Sequence, residues 1–163
     1  MIDYSIRLLN DEDEAILWNI LYYAISVPDG DDPLPRDIVN QPELSQYVKN
    51  WGSRGDSGFL AVNVTDMPIG AVWLRQFTRG NEGYGYVDDL TPELSIAVIP
   101  GCRGEGIGTA LLDKMFGSYK KNISLSVSDY NPALRLYQKF GFHVVGTKGN
   151  SLTMLLDREG RIS

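Results

Sequence analysis

At 163 residues, with 43% hydrophobic and 22% charged side chains, the chain has the size of one domain with a substantial core. Its net charge of −6 works against broad nucleic-acid binding, which needs Lys and Arg to neutralise phosphates, and suits a cationic partner such as an amine. One cysteine (Cys102) and one histidine (His143) exclude an intrachain disulfide and leave a Cys/His zinc site short of ligands, and no run of 18 apolar residues offers a membrane helix.

The N-terminal MIDYSIRLLNDEDE is acidic where a secretory signal needs basic and then apolar residues, so a cytoplasmic location is expected. YSIRL (4–8) reads as a first strand. Asn10 or Asp11 offers an N-cap with Asp13 or Glu14 three residues later, and Ile16, Leu17, Ile20, Leu21 and Ala24 follow at helical spacing, which predicts a helix over about 11–24. VPDGDDPLPRD (27–37) is too rich in Pro, Gly and Asp for a regular element. A shorter helix is expected near Pro42, burying Leu44, Tyr47, Val48 and Trp51. The two helices and the loop between them read either as a substrate-selecting flap or as a surface connection.

GFLAVNV (58–64) and IGAVWLR (69–75) form a predicted hairpin, and RGNEGYGY (79–86) is too glycine-rich for a packed strand until its end. ELSIAVI (93–99) is a strand rich in β-branched residues, stopped by Pro100. A helix is predicted over about 106–119 and a strand over 123–127. A second helix is capped by Asn131, with Pro132 at its first position and Gly141 at its end. A hairpin over 142–147 and 151–156 closes the order β-α-α-β-β-β-α-β-α-β-β. Strand–helix alternation in the second half requires mixed or parallel pairing, and nothing divides residues 1–163 into more than a single domain.

The most informative stretch is PGCRGEGIGT (100–109). A strand ends, and an arginine and glycines run straight into a helix whose first N–H groups lack intrahelical partners. Glycines let successive N–H groups converge on one point, and the helix start favours negative charge, so the turn can cradle phosphate. Its spacing fits neither common nucleotide loop. No lysine stands where the phosphate-loop pattern needs one, and the dinucleotide fingerprint would need glycine where Thr109 stands. What remains is R-x-x-G-x-G, from Arg103 to Gly108. The plain alternative is a tight strand-to-helix turn.

ELSIAVIPGCRGEGIGTALLDKM (93–115) followed by SLSVSDYNPALRLYQKFGFHVVGT (124–147) resembles the GNAT superfamily of acetyl-CoA-dependent N-acetyltransferases. The first stretch is similar to the family's V-x-P-x-x-R-G-x-G-I-G-x-x-L-L, the second to its N-x-x-A-x-x-L-Y-x-K-x-G-F, with Ala133 one position early. The resemblance implies an α/β fold: a mixed, mostly antiparallel sheet of about seven strands, flanked by helices and splayed between strands four and five. It implies acetyl-CoA as cosubstrate and no metal. Backbone N–H groups of Arg103, Gly104, Glu105, Gly106, Ile107, Gly108 and Thr109 would hold the pyrophosphate. Ile96, Ala97 and Val98 would pair with the pantetheine, one of their N–H groups facing the thioester carbonyl. Asn131 would position the arm, and Tyr137 would stand near the sulfur. A homodimer is also compatible with the resemblance.

An amine attacks only when neutral, and an alkylammonium titrates near ~10.4, so a proton acceptor is needed. The carboxylates near the fourth strand are Asp88, Asp89 and Glu93. Burial can raise a carboxyl, and a water can relay the proton; Glu93 is the expected base, sharing a strand face with Ser95 and Ala97. Tyr137 is the expected general acid for the departing thiolate. Tyr84, Tyr86, Asp88 and Asp89 could bind the acceptor amine through ring and charge attraction, with Trp51, Trp73 and Phe77 as further candidates for the lining. Arg103 would meet phosphate or close over the loop. Cys102 lacks a readable base for nucleophilic duty, and His143 reads as structural or exposed. The expected function is acetyl transfer from acetyl-CoA to a primary amine of a small molecule or peptide. The alternatives are a non-catalytic acyl-CoA sensor and an acyltransferase with another donor or a hydroxyl acceptor.

Overall fold

In the computed structural model, which describes residues 2–25, 27–28 and 30–159, seven strands form one sheet in the order β1-β2-β3-β4-β5-β7-β6. The strands are β1 (Tyr4–Leu8), β2 (Ser57–Asn63), β3 (Pro68–Arg75), β4 (Glu93–Val98), β5 (Ile123–Ser128), β6 (His143–Lys148) and β7 (Ser151–Leu156). The helices are α1 (Glu14–Ala24), α2 (Pro42–Ser45), α3 (Ile107–Ser118) and α4 (Leu134–Phe140). All neighbouring pairs are antiparallel except β4–β5, which is parallel. The mixed, splayed α/β sheet implied by the resemblance is what the chain forms.

Helices cover both faces, so β2 and β3 are buried almost end to end instead of alternating with solvent. One face carries α3 and α4 over Phe59, Val72, Leu74, Leu94 and Leu125. The other carries α1 and the turns after α2, where Leu17, Ile20, Tyr47, Val48 and Trp51 pack on Leu60, Ala71 and Trp73. A register shift at Ala61/Val62 pairs Val62 with Pro68 and turns Ile69 toward the α3 face.

Element ends differ from the sequence expectation where local polar groups outcompete helical propensity. Asn10 caps as expected, in a box with Asp13, but it opens a 3-10 turn (Asp11–Asp13) before α1 begins. The stretch near Pro42 stays helical for only four residues, and turns carry Tyr47, Val48 and Trp51 into the core. A 3-10 turn, Arg36–Asn40, forms at the edge of the segment read as irregular. Pro132 is not the first residue of α4: the Asn131 side chain accepts from Ala133 N at 2.9 Å and stabilises a turn, so the helix starts at Leu134.

Candidate active site

β4 pairs with β3 in unbroken register from Gly70↔Val98 to Arg75↔Glu93, but meets β5 at a single register position, Glu93↔Ser124. Beyond that apex the two strands separate. Ile99 N–H donates to Ile69 O on β3 at 2.9 Å, and peptide groups alternate along a strand, so the backbone of Ala97 is directed to β3. Ile96 and Val98 are directed to the other edge, where β5 has diverged. The Val98 carbonyl accepts from Arg103 Nε at 2.9 Å, so the Arg103 side chain folds back over the loop.

That loop owes its shape to glycine. Gly101, Gly104 and Gly106 have φ of +90°, +78° and +81°, a region that other residues enter at a cost of about 1–2 kcal/mol. The first intrahelical bond of α3 runs from Ala110 N to Gly106 O, leaving the N–H groups of Ile107, Gly108 and Thr109 free of intrahelical partners. Gly108 is different. Its φ is not positive, and an added Cβ would meet only Val98 Cγ2, at 4.0 Å, so neither strain nor crowding within the chain calls for glycine there. The exposed Glu105 carboxylate accepts from Ile2 N–H at 3.0 Å and does not line the cleft described below.

A cleft of about 780 Å³ joins these parts. Its walls include Ile96, Ala97 and Val98, the loop and first turn of α3 through Thr109 (without Glu105), Asn131, and Tyr137 from α4. The fourth wall comes from the end of α1 and the loop beyond it, with Tyr22, Tyr23, Asp31 and Leu34. Of the two helices and the loop between them, α1 and the loop reach the cleft and α2 does not.

Tyr137 is 7% exposed and packs edge-on against Phe142, with ring centroids 6.0 Å apart. Burial pushes its phenol up to about 12. Its hydroxyl makes no hydrogen bond to the described residues, while its ring lines the cleft. An anchored ring with an uncommitted donor suits a group that meets a ligand.

Glu93 sits at the apex of the splay on the α1 face, 3% exposed, outside the cleft lining. The Tyr47 hydroxyl donates to its Oε2 at 2.5 Å and accepts from Tyr84 N–H at 2.7 Å. Burial raises the Glu93 carboxyl from 4.5 to about 7, against the opposing pulls of the Tyr47 hydroxyl and the nearby Gly85 amide. Glu93 Oε1 and Ser124 Oγ are both buried without a hydrogen-bond partner, and their residues are register partners on one face. The loop over residues 79–91 seals this nest. A Cβ on Gly83 would stand 2.3 Å from Glu93 Oε1, and one on Gly85 would stand 2.6 Å from the Leu125 backbone.

The acceptor residues expected in that loop are not brought to the cleft. Residues 82–90 form no strand, with turns at 84–85 and 89–90, so Tyr84 and Tyr86 do not share a strand face. Asp89 accepts from the Tyr86 hydroxyl at 2.5 Å and from Arg79 N–H at 2.8 Å, which lower its pKa, and Asp88 accepts from Leu90 N–H at 2.9 Å. Trp51, Trp73 and Phe77 are core residues. Tyr22 and Tyr23, passed over in the sequence, lie beside the apolar stripe of α1. Tyr22 donates to Leu34 O at 2.6 Å, and the Arg36 guanidinium lies 4.5 and 5.0 Å from the two ring centroids. Two consecutive aromatics closing a helix before a Pro/Asp-rich loop were the available signal. Cys102 is half-buried in the cleft wall and His143 is exposed on β6. Among the described residues no cluster of His, Cys, Asp and Glu could hold a metal, and no helix is long and apolar enough to cross a membrane.

Residues 23–142 match the family model described as the acetyltransferase (GNAT) family. No curated protein matches significantly. Among solved structures, the chain is similar to PaiA N-acetyltransferase from Thermoplasma acidophilum in complex with coenzyme A (18% identity, 96% of this chain and 99% of that one, TM-score 0.65). It is also similar to a phosphinothricin acetyltransferase from Sinorhizobium meliloti in complex with acetyl-CoA (17%, 94% and 88%, TM-score 0.64). A third likeness is to spermidine N-acetyltransferase from Vibrio cholerae in complex with CoA and spermine (18%, 96% and 96%, TM-score 0.59). At these identities the likeness is one of fold.

Proposed function

This chain belongs to the acetyltransferase (GNAT) family, and on that premise we propose that it transfers an acetyl group from acetyl-CoA to a primary amine of a small molecule or peptide by direct attack in a ternary complex. The observation that carries the reading is one continuous cleft in which the free edge of β4, the first amides of α3 and the unbonded Tyr137 hydroxyl face one another. The residues fit the cosubstrate. The glycine-shaped loop has no side chain on its concave side to repel a diphosphate, Glu105 does not line the cleft, and Gly108 leaves room that nothing in the chain fills.

Ile96 and Val98 would bond the pantetheine as a missing strand neighbour, and Asn131 would hold the arm. One of the two strand N–H groups would donate to the carbonyl oxygen as charge builds there, an effect of typically ~3 kcal/mol. The amine nitrogen forms its bond to the carbonyl carbon, the carbon–sulfur bond breaks, and the nitrogen gives up a proton. Glu93 lies beyond the cleft lining, so it would take that proton along a chain of waters, the last of which, shared with Ser124 Oγ, would satisfy both orphaned atoms. A carboxyl near neutrality is far better matched to this task than an ordinary one. Tyr137 would donate to the departing sulfur. Its phenol, at about 12, stays protonated, and burial that raises the phenol also raises a thiol beside it, which keeps donor and acceptor near one another.

Tyr22, Tyr23 and Asp31 take the acceptor-binding role first expected of Tyr84, Tyr86, Asp88 and Asp89. Arg36 already lies over both rings, so they would shape the wall while the Asp31 carboxylate attracts an ammonium-bearing acceptor, in keeping with a structural relative named spermidine N-acetyltransferase. Calorimetry with acetyl-CoA, followed by thiol release over a panel of amines and alcohols, tests the reading. The expected result is binding and thiol release that depends on an amine. Binding without release over the whole panel would support a sensor, release with alcohols alone would support a hydroxyl acceptor, and absence of binding would overturn the proposal.

A further inference from the structure

Glu93 has a cation for a strand neighbour and does not bond to it. Arg75 and Glu93 are register partners on adjacent antiparallel strands, so their side chains leave the same face, with Cβ atoms about 4.5–5.5 Å apart. Both are buried, Arg75 at 9% and Glu93 at 3% exposure. A guanidinium and a carboxylate so placed would ordinarily form a bidentate pair. Instead Arg75 Nε and Nη2 donate to the two oxygens of Asp56, at 3.1 and 2.8 Å. Arg75 Nη1 donates to the carbonyls of Gln46 and Lys49, at 2.9 and 2.6 Å. Four of the five donors of the guanidinium are thus engaged away from Glu93. Its central carbon also stands over Trp51, 5.7 Å from the ring centroid.

The groups that do face Glu93 are neutral. They are the Tyr47 hydroxyl from the turn after α2, the Gly83–Gly85 backbone of the covering loop and Ser124 from β5; the Tyr84 ring in that loop is exposed. The hydrogen bonds that oppose its burial come from the Tyr47 hydroxyl and the Gly85 amide, both neutral. The Asp56 side chain is buried, 3% exposed, and it also accepts from Gly52 and Ser53 N–H. Its loop therefore fixes where the arginine points.

We infer that Asp56 is a positioning residue for the reaction: by holding the Arg75 guanidinium it keeps that cation off Glu93, so the carboxyl at the apex of the splay stays unpaired. The inference rests on the reading of Glu93 as proton acceptor, and it supplies what that role requires. A carboxylate locked to an arginine would be a weak base.

The test is Asp56→Asn in the full chain, which keeps the shape of the side chain and removes its charge. Carbon-13 NMR of labelled glutamate follows the Glu93 carboxyl directly, alongside the pH profile of turnover. With Arg75 released, the Glu93 midpoint should fall by about 1 to 3 pH units, as expected for a carboxyl gaining an opposite charge within about 4–6 Å. The acidic limb of turnover should move with it. The double variant Asp56→Asn with Arg75→Met, which removes both charges, should return the midpoint to within about half a unit of the original. An unmoved midpoint in the single variant, or no return in the double, overturns the inference.

If the single variant fails to fold, the unaltered protein still answers. The Arg75 Nε–H resonance should ignore the Glu93 titration, and a resonance that tracks it overturns the inference. Turnover by Glu93→Gln separates this idea from the reading beneath it. Full activity in that variant removes Glu93 from the chemistry and the positioning role with it, even where the midpoint shifts as expected. Lost activity with an unmoved midpoint in Asp56→Asn removes only the role of Asp56.

Discussion

The turn that leads β4 into α3 and the nest that encloses Glu93 lie at opposite ends of one strand and are built by opposite means. The turn is assembled from neighbours in sequence, and what it offers a ligand is main chain: amides at the start of α3 and a strand edge with no partner. The nest is assembled from side chains drawn from far apart, with Tyr47, Arg75, Glu93 and Ser124 supplied by four separate segments. One region leaves backbone groups unsatisfied beside solvent. The other tunes a single carboxyl by excluding solvent and withholding charge. The difference teaches that a binding surface made of amides needs only local geometry, whereas a shifted pKa needs a tertiary enclosure.

Three measurements press on that contrast. The largest effect is expected at the nest. Because folding raises the Glu93 carboxyl from 4.5 to about 7, the folded state holds the proton more tightly than the unfolded one. This contribution to stability is complete below about pH 4.5 and is lost as pH rises through 7, to the extent of about 3 kcal/mol. Denaturant unfolding of the unaltered protein and of Glu93→Gln across pH 4–8 should give a difference that follows this curve. A flat difference would mean that the carboxyl is not enclosed as described.

Next comes Tyr137→Phe, in which the ring and its packing remain and only the hydroxyl goes. Turnover should fall by about 10²-fold while acetyl-CoA affinity stays within about twofold. A loss confined to affinity would make the hydroxyl a binding group and leave the acid unassigned.

The smallest and sharpest test separates two glycines of the loop. Gly106, at φ +81°, should tolerate valine poorly, with CoA binding weakened about tenfold by the strain of the turn. Gly108 has an ordinary helical backbone and open space around it, so alanine there should stabilise the free protein by about 0.4–1 kcal/mol. The same alanine should weaken CoA binding, because its methyl group stands where the diphosphate is proposed to lie. A Gly108→Ala protein that is more stable and binds CoA as before would remove Gly108 from the cradle.

The sequence alone carried the order of elements, because period-two strands, amphipathic helices and the glycines of 104–108 are local patterns that side-chain spacing records. It also pointed to Tyr137 and Asn131, which sit in a continuous motif and line the cleft, and to the strand face of Glu93, which follows from alternation. Tertiary structure alone decided what Glu93 is near. No spacing in the chain announces that Tyr47 bonds it, that Arg75 is drawn away by Asp56, or that Gly83 lies against it. It also decided that Tyr22, Tyr23 and Asp31 line the cleft while Tyr84, Tyr86, Asp88 and Asp89 do not, the two acids being bonded within their own loop. The physical reason is the same in each case. Backbone conformation depends on the few residues beside it, while electrostatic environment depends on whatever the folded chain brings within a few ångströms.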